Sequence, residues 1–121
     1  MITPNRPLLA AAGLCGAVGV GIAAAASHKA DPNLGIAGNF LLFHAPALIG
    51  LSLLAGNRIA LIAGWMLVIA LILFAGDLVS LSQLGHGLFP LSAPLGGMGL
   101  IVGWLLAVAA AVFAPHSSKP S

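Results

Sequence analysis

RIALIAGWMLVIALILFAGDLVSLS, from Arg58 to Ser82, is the stretch whose reading decides the fold. From Ile59 to Gly76 it carries neither a charge nor a strongly polar side chain. A run of 18 or more such residues is long enough to cross the hydrocarbon of a bilayer as a helix. The first charge to interrupt it is Asp77. Gly56-Asn57 ahead of the run reads as a helix stop followed by a cap, which sets the start near Arg58.

The rest of the chain repeats this pattern. Only four of its 121 residues are Lys or Arg and two are Asp or Glu, while 60% are hydrophobic. Soluble domains carry roughly a quarter charged residues. Apolar runs at 7–27, 32–55 and 95–113 join 58–82 to give four helices, each close to the ~20 residues a span needs. Pro7 suits a first helical turn, as does Pro32 after a capping Asp31. The first run also has the outline of a secretory signal, although it is longer than a usual signal core. Pro46 removes one backbone bond inside the second helix and crowds the Leu42 carbonyl, so a kink beside His44 is expected. The segment 85–94 is a Gly- and Pro-punctuated loop, and the tail 115–121 is polar. The expected architecture is an all-α, four-helix transmembrane bundle running up-down-up-down. Lys/Arg bias sets its orientation: Arg6, Arg58 and Lys119 fall on one side and Lys29 on the other, which favours both termini in the cytoplasm.

Membrane helices associate where small residues let backbones approach. Two stripes fit that need. Gly13, Ala17, Gly21 and Ala25 line the first helix, and Gly99, Gly103, Ala107 and Ala111 line the fourth. Either stripe can pack inside the bundle or against another chain.

The residues able to carry chemistry gather toward one side. His28, Lys29, Asp31 and His86 form a polar cluster at the outer surface, with Asp77 and His44 deeper. A carboxylate within the hydrocarbon costs roughly 2.5–3.5 kcal/mol on insertion scales, so Asp77 calls for a partner or a route to interfacial water. His44 is the natural candidate, and Asp77 with His44 forms a candidate intramembrane polar pair. His28, His44, Asp77 and His86 match no metal-ligand spacing, so no metal is expected. Only His44 lies inside a span, which argues against bis-histidine haem, and no cofactor is expected. The lone Cys15 allows no intrachain disulfide. Basic residues form no patch for nucleic acid. No serine sits in a nucleophile elbow, and Cys15 lies where a thiolate is disfavoured, so no catalytic residue is expected.

Phe43-His44, Leu73-Phe74-Ala75-Gly76, Pro94-Leu95-Gly96-Gly97 and Gly103-Trp104 occur in an order and spacing that resemble a family of small four-helix membrane proteins. This is the family catalogued as domain of unknown function 423 and related to eukaryotic transmembrane protein 256. The resemblance implies a multi-pass bacterial inner-membrane protein without an established activity. The chain departs from the family pattern in three places. Ile22-Ala23-Ala24-Ala25-Ala26-Ser27-His28 stands where a glycine-rich run ending in His is usual. Leu41-Leu42 stands where polar residues often precede the histidine. Asp77 stands where a small polar residue is common.

These readings lead to a non-catalytic membrane protein whose partners are the lipid bilayer and either itself or another membrane subunit. A transporter or proton-handling protein using Asp77 and His44 is the alternative. A quinone contact in a larger membrane enzyme is the weaker one.

Overall fold

The computed structural model describes residues 3–114; Lys119 and the polar tail 115–121 lie outside the described residues. Four helices follow in order, α1 (Arg6–Lys29), α2 (Pro32–Ser52), α3 (Arg58–Leu84) and α4 (Ser92–Val112). All four are long and apolar enough to cross a membrane. At 1.5 Å per residue, the 27 residues of α3 reach about 40 Å and the 21 of α2 and α4 about 32 Å, against a hydrocarbon core of about 30 Å.

Local chemistry explains where each helix begins and ends. The Asn5 side chain accepts from Leu8 N–H at the start of α1, and Asp31 accepts from Asn33 and Leu34 N–H at the start of α2. Asn57 accepts from Ala60 N–H at the start of α3. Gly85 closes α3 in the left-handed conformation, where a residue without Cβ has no steric penalty. The helix α2 stops at Ser52, three residues short of the expected Ala55. There the Ser52 hydroxyl bonds back to Ile49 O, and residues 53–57 turn toward α3. The helix α4 begins three residues before Leu95, because Leu91 adopts a positive φ of 68° and the Ser92 hydroxyl anchors the first turn to Leu73 O. Pro46 is exposed, and α2 passes through it without a break.

Hydrogen bonds between segments fix an antiparallel up-down-up-down order. Asn5 N–H donates to Ser52 O at 2.8 Å, and the Asn57 amide donates to Ala110 O at 3.0 Å. One end of the bundle therefore holds the starts of α1 and α3 and the ends of α2 and α4. At the other end the Ser82 hydroxyl, near the end of α3, donates to Asp31 at the start of α2.

Each helix packs on its sequence neighbour; α1 also touches α3 briefly, whereas the backbones of α1 and α4, and of α2 and α4, do not approach. The central pair is thus α2 and α3, flanked by α1 and α4. Its core contains Ala37, Leu41, Leu48, Ala63, Leu67 and Leu71. The outside is as apolar as the inside: Leu14, Phe43, Ile72 and Leu105 are each more than 60% exposed. A soluble monomer does not present apolar surface on that scale, whereas a chain solvated by lipid does.

The two small-residue stripes end up in opposite environments. On α4 the stripe faces inward: a Cβ at Gly99 would lie 2.9 Å from Ala70 Cβ, and one at Gly103 would lie 2.6 Å from Leu67 Cδ2. Farther along, Ala107 is half-buried and Ala111 exposed. Gly96, outside the expected stripe, makes the tightest approach to backbone, 2.6 Å from Phe74 N. On α1 the stripe faces outward: Ala17 is exposed, and a Cβ at Gly13 or Gly21 would meet nothing within 4 Å. Ala25 is half-buried. The inner face of α1 is the adjoining one, carrying buried Leu8, Ala12 and Gly19. Ala23 backbone abuts Gly38 of α2, where an added Cβ would lie 2.9 Å from Ala23 N.

Candidate functional site

His44 is 6% exposed, on the face of α2 turned toward α4. Its Nε2 lies 3.1 Å from Trp104 Nε1, and its Nδ1 lies 2.7 Å from Phe40 O. The indole N–H can only donate and a carbonyl can only accept. Nε2 must therefore present its lone pair to Trp104, while Nδ1 carries the proton and donates to Phe40 O. The partners define a neutral imidazole with both nitrogens engaged. This bond is also a bridge between α2 and α4, whose backbones stay apart. The site is aromatic, with ring centroids 5.6 Å apart for His44 and Trp104 and 4.6 Å apart for Phe40 and Phe74.

Asp77 is likewise 6% exposed. Its Oδ1 accepts the Leu88 N–H at 2.9 Å, and Gly87 lies so close that an added Cβ would run into the carboxylate. One turn on, the Ser80 hydroxyl donates to His86 O at 2.6 Å. Asp77, Ser80 and Ser92 thus tie the α3–α4 loop and the first turn of α4 to α3. A loop backbone near lipid needs such partners, because an unpaired amide there costs several kcal/mol.

The structure does not bring Asp77 and His44 together. Phe40 packs on Phe74, and antiparallel counting from that contact sets Asp77 level with Ala37 and His44 level with Ala70. The two side chains are then about seven residues, or about 10 Å, apart along the bundle axis, each with its own partners. The expected pairing is replaced by two separate anchors.

In the outer cluster, Asp31 is an N-cap with a second task. Its Oδ2 accepts from the Ser82 hydroxyl at 2.5 Å, and Gln83 donates to the same Ser82 oxygen at 2.9 Å. The Ser82 bond is the main cause holding the Asp31 carboxyl below the usual carboxylate range; the Leu34 and Asn33 N–H groups and nearby Lys29 add to it, against partial desolvation. His28 and Lys29 are exposed in the last turn of α1. His86 is exposed, and its Nδ1–H donates to Gly87 O at 2.9 Å. His28, His44, Asp77 and His86 do not converge: among the described residues no three His, Cys, Asp or Glu side chains lie close enough to hold a metal ion.

Sequence reading did not identify Trp104 as the partner of His44, nor Ser80, Ser82 and Ser92 as anchors. Their signal is the residue type itself, since a hydroxyl or indole N–H within or beside an apolar span needs an acceptor. Among the described residues, no buried side-chain nitrogen or oxygen lacks a hydrogen-bond partner. The concavities between helices are apolar. One lies between α2 and α4, about 610 Å³ and lined by Ala47, Gly50, Leu54, Trp104 and Ala107. Another lies between α1 and α3, about 240 Å³ and lined by Leu14, Cys15, Val18, Val68 and Ile72.

No curated protein and no solved structure matched the chain. One family, described as "Protein of unknown function (DUF423)", matches residues 9–97. That match takes in α1 from Leu9 onward, α2, α3 and the start of α4, including His44 and Asp77, and stops before Trp104. Four apolar helices together with this match identify the chain as a multi-pass membrane protein of the DUF423 family.

Proposed function

We propose that the protein is a non-catalytic subunit of the bacterial inner membrane, packing against copies of itself or against a larger membrane complex. The observation that carries this reading is the engagement of the polar groups where the helices and loops meet. His44 bridges α2 to α4, Asp77 and Ser80 hold the α3–α4 loop, Ser92 anchors α4, and Asp31 caps α2 while bonding Ser82. Each of these groups has a structural task within its own fold. The outward face of α1, open at Gly13, Ala17 and Gly21, offers a surface on which another helix can approach closely. Arg6 and Arg58 stand at the end that holds the start of α1 and the end of α4, and Lys29 at the other, which supports cytoplasmic termini.

The test is extraction into lipid particles that keep the native bilayer, followed by mass measurement. A defined oligomer or a stoichiometric partner is expected, weakened by Ala17→Leu. A lone monomer contradicts the proposal. Proton handling and quinone contact are the competing readings. They predict that Asp77→Asn alters a pH-dependent flux in proteoliposomes, or that quinone co-extracts with the protein; the packing role predicts neither.

A further inference from the structure

We propose that the outer face of α3, from Arg58 to Ile69, is a binding groove for one anionic phospholipid, with the headgroup phosphate on Arg58. Arg58, Leu61, Ile62, Trp65, Met66 and Ile69 share one face of α3, in the pattern i, i+3, i+4, i+7, i+8, i+11, and line one concavity of about 390 Å³. Among the described residues its one charge, Arg58, is at one end. The rest is hydrocarbon and an indole face, with Ile62 50% and Ile69 58% exposed and, among the described residues, no helix packed over them.

Length selects the occupant. Arg58 and Ile69 are eleven residues apart, about 16 Å along the helix. One leaflet contributes about half of a 30 Å hydrocarbon core. The groove thus runs from the headgroup level to the bilayer midplane, the reach of a single acyl chain. A partner helix would need a contact surface running through both leaflets, whereas this one has a cation at its mouth and a lining that ends at Ile69, near the midplane.

Charge selects the headgroup. A guanidinium matches a phosphate in a two-pronged geometry that an ammonium cannot copy. Arg6 lies at the same end, where the start of α1 reaches α3 through Leu8 against Gly64. The chain's two acidic side chains, Asp31 and Asp77, belong to the opposite end. A zwitterionic lipid would bring its own ammonium into this basic surrounding; a phosphatidylglycerol-type headgroup brings none. One basic residue near an anionic surface is worth about 1 kcal/mol, or about a fivefold preference.

The test uses the full chain in vesicles of phosphatidylcholine and phosphatidylglycerol, with bromine on the acyl chains of one lipid at a time. Bromine quenches nearby tryptophan. The difference between the unaltered protein and Trp65→Phe isolates Trp65, and the variant itself reports Trp104 as an internal control. Trp65 should show about a fivefold preference for phosphatidylglycerol. Arg58→Gln should bring it to parity, Arg58→Lys should retain part of it, and Trp104 should be indifferent to both. In the unaltered chain, 1 M salt should lower the preference, since screening then acts within about 3 Å. A Trp65 signal that follows bulk composition overturns the proposal. So does a preference that survives Arg58→Gln or ignores salt.

Discussion

Replacing Gly96 by Ala should destabilise the bundle, whereas the same replacement at Gly21 should not. At Gly96 the new Cβ meets backbone: 2.6 Å to Phe74 N and 2.9 Å to Ala70 O. Against the 3.4 Å at which ordinary contact begins, the shortfall is about 0.8 Å. Backbone cannot rotate aside as a side-chain tip can, so α3 and α4 must separate, loosening the packing of Gly99 on Ala70 and Gly103 on Leu67. Overpacking of this kind costs about 1–3 kcal/mol. Both substitutions gain the same intrinsic helix preference of Ala over Gly, about 1 kcal/mol, and that gain cancels when the two are compared. At Gly21 nothing lies within 4 Å, so no clash term enters. The two variants should therefore differ by about 1–3 kcal/mol, Gly96→Ala being the less stable. Unfolding by denaturing detergent, in mixed micelles that keep the chain monomeric and with helicity as the readout, measures the difference. Equal stabilities for Gly96→Ala and Gly21→Ala would refute the assignment of inner and outer faces.

Three further outcomes follow from the hydrogen bonds. Trp104→Phe removes the donor to His44 Nε2 and should destabilise the bundle; a double-mutant cycle with His44→Phe should give a coupling of about 0.6 kcal/mol and at most about 1.7. Asp77→Asn keeps an oxygen for Leu88 N–H and should preserve the loop, whereas Asp77→Ala orphans the amide at a cost of about 1–3 kcal/mol and should speed hydrogen exchange at Leu88. The Asp31 carboxyl is held below its ordinary range in the folded state, chiefly by Ser82. Its contribution is therefore complete above the unfolded value of about 4 and is lost as pH falls through the lower folded value. Ser82→Ala should flatten the dependence of unfolding on pH on the acid side of that unfolded value.

The spans were legible because hydrophobic length in a chain with six charged residues admits one solution. Caps such as Asp31-Pro32 and Asn57 were legible because they depend on neighbouring residues. Helix ends set by distant contacts were not: α2 stops at Ser52 where Asn5 N–H meets its carbonyl, and α4 starts at Ser92 where its hydroxyl reaches Leu73. Which face of a helix turns inward was hidden for a physical reason. In lipid, core and surface are both apolar, so the pattern that marks a soluble helix's buried face is missing. The stripes on α1 and α4 look alike in sequence, yet one is open at Gly13 and Gly21 while the other is pressed onto Ala70 and Leu67. Asp77 was legible as a residue needing a partner. That the partner is a loop amide, and that His44 turns to an indole 60 residues away, depends on the register of α2, α3 and α4.

His44 tests most directly whether the buried polar groups act as anchors. Nitrogen-15 NMR of the ring in lipid, at neutral pH, should show a neutral imidazole with the proton on Nδ1 and a bare Nε2 whose signal moves on Trp104→Phe. A proton on Nε2, or a ring indifferent to Trp104, would contradict it.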